Sequence, residues 1–508
     1  MIRTRALFPY PAPLPALLLV AALFVCGTPA WAQLPQEPLE IGHEPQFVLD
    51  NYIVDNHWAL RSKREFVQRV FHQAKKHGQN PLWSGDKPSY LWVVRDEEAG
   101  LFRMYYQRNL RNDTPADEKG GKFNTWIAYA ESKDGLHWER PDLKLFPDLD
   151  ARPNNVVVAW KDSPTVQTCA PCIFEPRPGD NRGYRWLMLY RAKGRGSGET
   201  AGIRVVGTKD GVHWDMAGDM RIAHLHSDHP NTVSYDARRD EYVMFCRPKH
   251  IYRAFGEEML DTGASRRVAR MASKSLWTDW LQTARPQTIL IPDAGDNREH
   301  FNYFYGMPTR IYAGVYFGFL EPFRLNDYIY TEVVASRDGF HFERFADRPK
   351  LIEYGEEGSW DDTMIFASPG WVEVGDQWWI YYTGWDGPHG TSERDGAIGL
   401  ATIRKEGFVS LRGPQGGGVV CTRVLKWPGG DLRVNAAATD GELRVRVSDA
   451  DRRPIDGFNY DDCQTFAGDD VAHAVTWNGT SLDKLKGREI RLEFFLRDAD
   501  LYTFRAAE

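Results

Sequence analysis

Three copies of one short motif decide how this chain folds. They are Glu131-Ser-Lys-Asp-Gly-Leu-His-Trp138, Gly207-Thr-Lys-Asp-Gly-Val-His-Trp214 and Ala335-Ser-Arg-Asp-Gly-Phe-His-Phe342. Each copy follows an apolar run, and Asp-Gly between two such runs is a β-hairpin signal because glycine tolerates the positive φ of a tight turn. The motif therefore predicts repeated hairpins, with its aromatic residue packed between neighbouring sheets and its histidine in a structural role.

The spacing of these copies predicts the number of repeated units. Gly211 follows Gly135 by 76 residues (211 − 135), and Gly339 follows Gly211 by 128 (339 − 211), which is twice 64. A degenerate copy at 272–277 lies midway in the longer gap, and a last apolar run lies at 396–403. Five units of four short strands each are typical of a β-propeller, in which radial repetition leaves only short sheet edges.

The predicted fold is therefore all-β, a five-bladed β-propeller at 81–415 followed by a small antiparallel β-sandwich at 416–508. Alternating apolar and polar residues at 443–447 and 490–496 predict the sandwich strands. Residues 33–80 form a lead-in, with a weakly patterned helix expected over 61–76. The blades would cover 84–142, 155–218, 224–285, 298–350 and 358–412.

Residues 1–32 are predicted to be a cleaved signal peptide. Arg3 and Arg5 precede an apolar run at 16–25, and Ala30-Trp31-Ala32 offers the small-x-small pattern that signal peptidase cuts. That run is too short for a good membrane span, so we expect a secreted or periplasmic protein. A formal net charge of −7 without basic runs argues against nucleic acid and anionic membranes as partners. The oligomeric state stays open.

Five cysteines follow the predicted signal peptide, and an odd number in an exported protein leaves at least one unpaired. The pair Cys169-Ala-Pro-Cys172 has the spacing of a redox or zinc half-site, but no second pair follows it. Structural thiols or a local disulfide are therefore favoured there. We predict no cofactor and no metal site.

Acidic residues recur at the starts of the predicted innermost strands, where the loops of a propeller converge on its central channel. Turn preference explains any single aspartate, but like charges clustered at one mouth cost free energy unless they are used. Glycoside hydrolysis uses such a cluster, because one carboxyl group must hold a proton while another is ionised as base or nucleophile. The candidates are Asp86, Asp162, Asp228, Asp296, Glu299, Asp361 and Asp362.

A second group of residues falls near the blade starts or on long loops, and we predict that these residues bind the sugar. Histidine and arginine can bind sugar hydroxyl groups or carboxylates, and aromatic side chains can stack on a sugar ring. The set comprises His229, Arg247, His300, Tyr305, Trp385 and His389.

The turn motifs resemble those of the five-bladed propeller glycosidases, namely the invertase-fructanase and arabinanase-xylosidase families (glycoside hydrolase families 32 and 43). Further similar stretches lie at 231–243, 305–308, 312–315 and 384–389. The C-terminal region looks like the β-sandwich that often follows such propellers. The resemblance thus covers nearly the whole predicted mature chain at the level of architecture.

This resemblance implies three catalytic carboxylates. Carried over by position, Asp86 would be base or nucleophile, Asp228 the transition-state stabiliser and Glu299 the general acid. Asp361 or Asp362 could replace any of the three. Where invertases carry Asn-Asp-Pro-Asn-Gly, this chain has Gly-Asp-Lys-Pro at 85–88. Furanosides are the habitual substrates of these families.

We therefore expect a secreted glycoside hydrolase acting on an oligo- or polysaccharide, with carbohydrate as its partner. One alternative keeps the fold but transfers the glycosyl group to phosphate, with Arg247, Lys249 and His250 as candidate phosphate ligands. Another is a non-catalytic carbohydrate-binding propeller, which would hold its ligand after loss of every channel carboxylate.

Overall fold

Consecutive antiparallel β-sheets make up the chain from Ser89 to Arg404 in the computed structural model. The structure describes residues 37–56, 60, 66–111, 123–149, 153–160, 167–193, 201–225, 227–248, 251–252, 259–260, 266–325, 327–391 and 393–507. The predicted signal peptide and Asp162, Lys249 and His250 lie outside these residues, as does the side chain of His229.

The N-terminal strands of the described chain are β1 (Leu39–Glu40), β2 (Gln46–Phe47), β3 (Gln68–Phe71), β4 (Lys75–Lys76) and β5 (Trp83–Ser84). The consecutive sheets contain β6 (Ser89–Asp96), β7 (Leu101–Arg111), β8 (Phe123–Ser132), β9 (Val156–Val158), β10 (Gln167–Phe174), β11 (Trp186–Lys193), β12 (Gly202–Thr208), β13 (Met220–Ala223), β14 (Ser227–Asp236), β15 (Glu241–Pro248), β16 (Ile251–Tyr252), β17 (Met259–Leu260), β18 (Val268–Ser273), β19 (Gln287–Leu290), β20 (Tyr303–Phe304), β21 (Thr309–Tyr312), β22 (Val315–Leu320), β23 (Pro322–Phe323), β24 (Glu332–Ser336), β25 (Met364–Ala367), β26 (Val372–Val374), β27 (Gln377–Trp385) and β28 (Gly396–Arg404). The C-terminal strands are β29 (Val409–Arg412), β30 (Gly418–Cys421), β31 (Leu425–Lys426), β32 (Asp431–Ala437), β33 (Glu442–Ser448), β34 (Asp469–Ala474), β35 (Glu489–Arg497) and β36 (Asp500–Ala507). Helix α1 spans Ala294–Arg298, and 3-10 turns lie at Trp280–Gln282 and Leu482–Leu485.

In the described chain the consecutive sheets form five blades. In strand order they are β6-β7-β8-β9 (blade 1), β10-β11-β12-β13 (blade 2), β14-β15-β18-β19 (blade 3), β21-β22-β24 (blade 4) and β25-β27-β28 with β4 and β5 (blade 5). Residues from every blade line one central cavity, among them Leu91, Pro171, Thr232, Pro308 and Ala367. The first strand of each blade therefore faces a common channel, and the predicted all-β propeller is confirmed.

Blade 5 is completed by the N-terminal part of the chain. Strand β4 pairs with β28 in the register Lys76↔Ala401, and β5 pairs with the same strand through Trp83↔Ile398. The edge of β28, which would otherwise present unpaired N–H and C=O groups, is thereby covered. The two ends of the propeller sequence thus close the ring.

The C-terminal strands form two sheets, and the lead-in contributes to both. One sheet has the order β1-β31-β35-β30 with β33 beside β35, and the other runs β3-β29-β36-β32-β34 with β2 beside β36. Their shared core includes Trp427, Trp477, Leu432 and Phe494. The predicted β-sandwich is therefore present, but strands from 37–71 and β29 belong to it as well.

The expected helix over 61–76 is not formed in its described part. Residues Gln68–Phe71 form β3, which pairs with β29 from Phe71↔Val409 to Gln68↔Arg412, and Lys75–Lys76 form β4. The helical pattern of this stretch is weak, and pairing with an available strand edge outweighs such a local preference.

The repeated motif forms the same turn in each copy. Asp134 Oδ1 accepts hydrogen bonds from the backbone N–H groups of Leu136 (2.9 Å) and His137 (2.8 Å), and Asp134 Oδ2 pairs with His137 Nδ1 at 2.7 Å. These hydrogen bonds lower the pKa of Asp134, and the largest contribution comes from the backbone N–H of His137. Gly135 has φ 76°, a left-handed conformation that favours glycine. The motif aspartate and histidine therefore hold the turn.

The turns also join neighbouring blades. The Tyr381 hydroxyl of blade 5 donates to the Gly135 carbonyl of blade 1 at 2.9 Å, and the Tyr105 hydroxyl of blade 1 donates to the Gly211 carbonyl of blade 2 at 2.8 Å. Both tyrosines are fully buried. Each of these turns thus satisfies a buried hydroxyl group from the preceding blade.

All of the cysteines in the described chain are buried free thiols, at 169, 172, 246, 421 and 463. Burial raises the pKa of Cys169 to about 11 and that of Cys172 to about 12, so both stay protonated and unreactive at neutral pH. Of the two favoured interpretations of Cys169 and Cys172, the structure agrees with structural thiols and not with a local disulfide. No helix among the described residues is long and apolar enough to cross a membrane.

An ion pair joins strand β4, which completes blade 5, to Asp361 of that blade. It allows the contribution of ring closure to stability to be tested. Lys76 Nζ lies 2.6 Å from Asp361 Oδ2, which also accepts from the Tyr382 hydroxyl at 2.8 Å, and the Asp361 side chain is 3% exposed. We expect Asp361→Ala to lower the free energy of unfolding by about 3 kcal/mol, because a buried ion pair loses one partner. Urea denaturation measures the loss.

Asp362→Ala is the matched control. Its carboxylate accepts local hydrogen bonds from Gly358 N–H and Thr363 Oγ1, so we expect a loss of about 1 kcal/mol or less. Equal losses of unfolding free energy in the two variants would show that the ion pair of Asp361 with Lys76 does not stabilise the closed ring.

Candidate active site

Asp228 lies at the start of β14, where the first strand of blade 3 meets the channel mouth. Its Oδ1 pairs with Arg191 Nη1 at 2.6 Å, and its Oδ2 pairs with Arg247 Nη2 at 2.7 Å. The two arginines come from β11 and β15, and Arg247 is the cross-strand partner of Asp228. Both guanidinium groups are nearly buried, whereas the Asp228 side chain is 42% exposed. Asp228 thus combines access from solvent with two cations that favour its ionised form.

Tyr305 packs against these residues and joins them to a loop of blade 5. Two guanidinium groups lie against its ring, those of Arg247 at 4.7 Å and Arg266 at 5.0 Å from the ring centroid. Its hydroxyl lies 3.2 Å from His389 Nε2, and the ring of Tyr90 is stacked at 6.5 Å. The structure therefore brings together four residues that the sequence singled out: Asp228, Arg247, Tyr305 and His389.

His389 is held in its neutral form. Burial and then the positive charges of Arg394, Arg266 and Arg247 lower the pKa of His389 to about 3. Its imidazole therefore serves as a hydrogen-bonding group at neutral pH and adds no charge to the cluster.

Glu321 is a functional candidate that the sequence analysis missed. It follows Leu320 at the end of β22, lines the central cavity with Tyr90 and Asn231, and is 1% exposed. Burial raises the pKa of Glu321 to about 8, although the charge of Arg247 opposes the shift. Its Oε2 has no hydrogen-bond partner among the described residues. Glu321 is therefore a carboxylic acid that keeps its proton at pH 7.

The sequence offered one signal for Glu321. A glutamate directly follows the apolar run Val315–Leu320, whose residues are all buried. The predicted carboxylates all lie at the starts of first strands, whereas Glu321 follows the second strand of its blade, which returns to the same end of the channel.

Asp86 occupies the corresponding end of blade 1. Its Oδ1 pairs with Arg108 Nη2 at 2.9 Å and its Oδ2 with Arg140 Nη1 at 2.6 Å. The next residue, Lys87, donates from Nζ to the Arg394 carbonyl at 2.5 Å, which connects this segment to the loop that carries His389. Asp86 is thus an arginine-bound carboxylate beside the cluster.

The other candidate residues from the sequence lie outside the cluster of Asp228, Arg247, Tyr305 and His389. Glu299 and His300 are exposed at the end of α1, and no hydrogen bond or ion pair joins Glu299 to Asp86 or Asp228 among the described residues. Asp296 is buried in ion pairs with Arg344 and Arg348. The catalytic roles of Asp296 and Glu299 and the sugar-binding role of His300 stay predictions that this geometry does not favour.

Three further candidates belong to blade 5. Asp361 is the buried partner of Lys76, and Asp362 bonds locally within its turn. Trp385 is buried at the end of β27 with the Arg394 guanidinium 5.1 Å from its ring centroid, so it supports the loop of His389. Within the described chain no group of three or more His, Cys, Asp or Glu residues could hold a metal ion.

No protein-family model matches the chain. Two uncharacterized proteins of Mycobacterium tuberculosis, from strains CDC 1551 / Oshkosh and ATCC 25618 / H37Rv, are each 30% identical to it over 131 residues, or 26% of this chain. The match spans about a third (34%) of the length of these relatives.

Several solved structures are similar to the chain. An N-acetylgalactosamine deacetylase from F. plautii has 16% identity and a TM-score of 0.43 over 66% of this chain and 95% of that one. A β-1,2-mannobiose phosphorylase from Listeria innocua has 11% identity and a TM-score of 0.45 over 66% and 97%. A family 43 arabinoxylan arabinofuranohydrolase from Bacillus subtilis has 10% identity and a TM-score of 0.39 over 85% and 99%. At these identities the similarity concerns the fold alone.

The raised pKa of Glu321 makes folding stability depend on pH. Between about pH 4.5 and 8 the unfolded chain ionises this carboxyl group while the folded chain keeps it protonated, so the unfolded state binds fewer protons and stability falls as pH rises. Glu321→Gln removes this contribution, and the difference in unfolding free energy between wild type and variant should change by about 4–5 kcal/mol across that window.

Chemical denaturation at pH 4.5, 6 and 8 measures this difference. Glu299→Gln, which removes an exposed carboxyl group, should show no such trend. A difference between wild type and Glu321→Gln that stays constant with pH would mean that Glu321 ionises normally.

Proposed function

We propose that this protein cleaves glycosidic bonds by hydrolysis, at the channel mouth where Asp228 and Glu321 lie. One observation carries the proposal: two carboxyl groups share Arg247 as a neighbour but occupy opposite environments. Asp228 is open and paired with two arginines, whereas Glu321 is buried and its pKa is raised to about 8. Glycoside hydrolysis requires one ionised and one protonated carboxyl group at the same site.

Glu321 is the proton donor in this proposal. As the glycosidic C–O bond breaks, its proton passes to the oxygen of the leaving sugar, which would otherwise depart as an unstable alkoxide. Glu321 lines the central cavity, and its Oε2 has no hydrogen-bond partner among the described residues, which leaves the group free for a substrate contact. This assignment replaces Glu299, which is exposed at the end of α1.

Asp228 is the ionised partner. Its negative charge stabilises the positive charge that develops on the sugar ring in the transition state, and it can accept the proton of the attacking water. Asp86 is the second carboxylate at this end of the channel, held by Arg108 and Arg140. Which of the two activates water is decided by the variants below.

Aromatic side chains at the same place provide a surface for the sugar. Tyr90, Tyr305 and Phe366 pack against one another, with ring centroids 5.4 Å apart for both pairs that involve Phe366. Such rings contact the apolar faces of sugars, and the neutral His389 beside them can bind a hydroxyl group. We further propose that the protein is exported, on the strength of the signal-like residues 1–32.

The proton-donor role of Glu321 predicts a loss that depends on the leaving group. We expect Glu321→Gln to lower kcat about a thousandfold on an unactivated oligosaccharide, since general acid catalysis contributes about 10²–10⁴-fold. A 2,4-dinitrophenyl glycoside of the same sugar, whose leaving group needs no proton, should lose less than about tenfold. The basic limb of the wild-type pH–rate profile should lie near pH 8 and disappear in the variant.

Glu299→Gln is the matched control, because it makes the same change in the residue that the family resemblance implies. It should keep kcat within about twofold of the wild type on both substrates. If Glu299→Gln shows the leaving-group-dependent loss and Glu321→Gln does not, Glu299 is the acid.

Asp228→Asn separates an enzyme from a binding module. We expect turnover of a glycan that the wild type cleaves to fall at least about a hundredfold while the fold and the affinity for that glycan are retained. Reducing-sugar release and calorimetry measure the two quantities, and Asp86→Asn tests the second carboxylate in the same assays. Glycan binding without turnover by the wild type, with or without phosphate, would instead establish a non-catalytic propeller.

A further inference from the structure

The arginines around Tyr305 carry hydrogen-bond donors that the protein does not use. Arg247 is 4% exposed, and its Nη1 is buried without a hydrogen-bond partner among the described residues, although its Nη2 holds Asp228. Arg266 Nη1 is likewise buried and unpartnered within the described chain. Both guanidinium groups lie over the ring of one residue, Tyr305. Buried charged donors without partners are costly, so two of them at one place point to a ligand.

The charge at this place is unbalanced toward positive. The charges that shift the pKa of His389 most are those of the cations Arg394, Arg266 and Arg247, with Asp228 as the opposing carboxylate. Arg191 adds a further cation on the other oxygen of Asp228. Glu321 does not compensate, since its pKa of about 8 keeps it neutral at pH 7.

Arg266 differs from Arg191 and Arg394 in its partners. Arg191 is paired with Asp228, and Arg394 donates to backbone carbonyls of its own loop, those of Pro388 at 3.0 Å and Thr391 at 2.7 Å. Arg266 forms no salt bridge with another described residue and its Nη1 is unpartnered, and its pKa is lowered by burial and by the charge of Arg247. A bound anion would relieve both effects.

We propose that Arg247 Nη1 and Arg266 Nη1 bind an oxyanion beside the scissile bond. This inference rests on the proposed function and specifies its substrate class. Guanidinium groups bind carboxylate and phosphate oxygens through directed, charge-assisted hydrogen bonds, and a neutral sugar would leave these charges unmatched.

Two sources can supply this chemistry, and they give different products. If the oxyanion is the carboxylate of a uronic acid unit, water attacks the anomeric carbon, the glycosidic C–O bond breaks, and the leaving oxygen takes the proton of Glu321. If it is free inorganic phosphate, a phosphate oxygen forms the bond to the anomeric carbon with the same proton transfer, and the products are a glycosyl phosphate and a free sugar. No oxidant or reductant is needed in either case.

The first experiment measures binding by calorimetry. The probes are glucuronate, galacturonate and inorganic phosphate, with glucose and galactose as neutral counterparts. We expect the wild type to bind an anionic probe more tightly than the neutral sugars, with an affinity that weakens as NaCl is raised. Arg266→Gln should weaken that binding at least tenfold and remove its dependence on NaCl. The affinity of Arg266→Lys for the anionic probe should lie between those of the wild type and Arg266→Gln.

Arg298→Gln is the matched control, because this arginine lies in α1 beside Glu299 and outside the cluster. It should bind the anionic probe as the wild type does. Thermal unfolding of each variant checks that the fold is kept. If Arg266→Gln does not fold, the comparison of the wild type with Arg266→Lys decides, because the lysine variant keeps the charge but loses the planar fork.

The second experiment identifies the source of the oxyanion. Cleavage of uronic acid-containing oligosaccharides without phosphate assigns it to the substrate, and phosphate-dependent formation of a glycosyl phosphate assigns it to the co-substrate. Either result supports the oxyanion site. The site is overturned if no anionic probe binds more tightly than its neutral counterpart, or if Arg266→Gln binds the anion as well as the wild type.

Failure of the oxyanion site and failure of the proposed function give different experimental results. Loss of turnover in Glu321→Gln with no anion binding would leave a glycosidase that acts on neutral sugars. If the wild type turns over no substrate but binds an anion, and Arg266→Gln abolishes that binding, the oxyanion site is supported and the proposed hydrolysis is not.

Discussion

Closure of the ring is the constraint on which the rest of this structure depends. A β-sheet that ends at β28 exposes an edge, and a propeller is stable only when that edge is covered. Here β4 and β5 cover it, so the chain before blade 1 has to reach blade 5. The buried pair of Asp361 with Lys76 and the tyrosine contacts between blades serve the same closure.

The candidate site follows from closure because it belongs to no single blade. Asp228 and Arg247 come from blade 3, Glu321 from the end of β22 in blade 4, and His389 from a loop of blade 5. Each is a short distance from the channel only because the first strands of all blades surround it. A ring that failed to close would separate residues that are far apart in the sequence.

Arginine organises the chemistry at this place. Arg247 contacts Asp228 directly and acts on Glu321 by its charge, yet burial of Glu321 outweighs that charge, and its pKa rises. Two carboxyl groups near one arginine thus occupy opposite environments: Asp228 is open to solvent, and Glu321 is buried and protonated at pH 7. The guanidinium groups of Arg191, Arg247, Arg266 and Arg394 at this place are the basis of the proposal that the substrate or co-substrate carries negative charge.

The sequence by itself determined the repeating part of this protein. The Asp-Gly turns, their spacing and the alternating C-terminal strands predicted an all-β propeller followed by a sandwich, because hairpin turns and strand alternation are local features of the backbone. It also pointed to Asp228, Arg247, Tyr305 and His389, since positions near the blade starts and on long loops follow from the same repeat.

Tertiary structure alone decided what depends on contacts between distant segments. The stretch at 66–76 forms strands instead of the expected helix because β28 and β29 offer edges to pair with. Asp361 has the position of a channel carboxylate in the sequence but is buried against Lys76. Glu321 looked like the end of an apolar strand, and its protonated state comes from burial by surrounding blades, which no local pattern records.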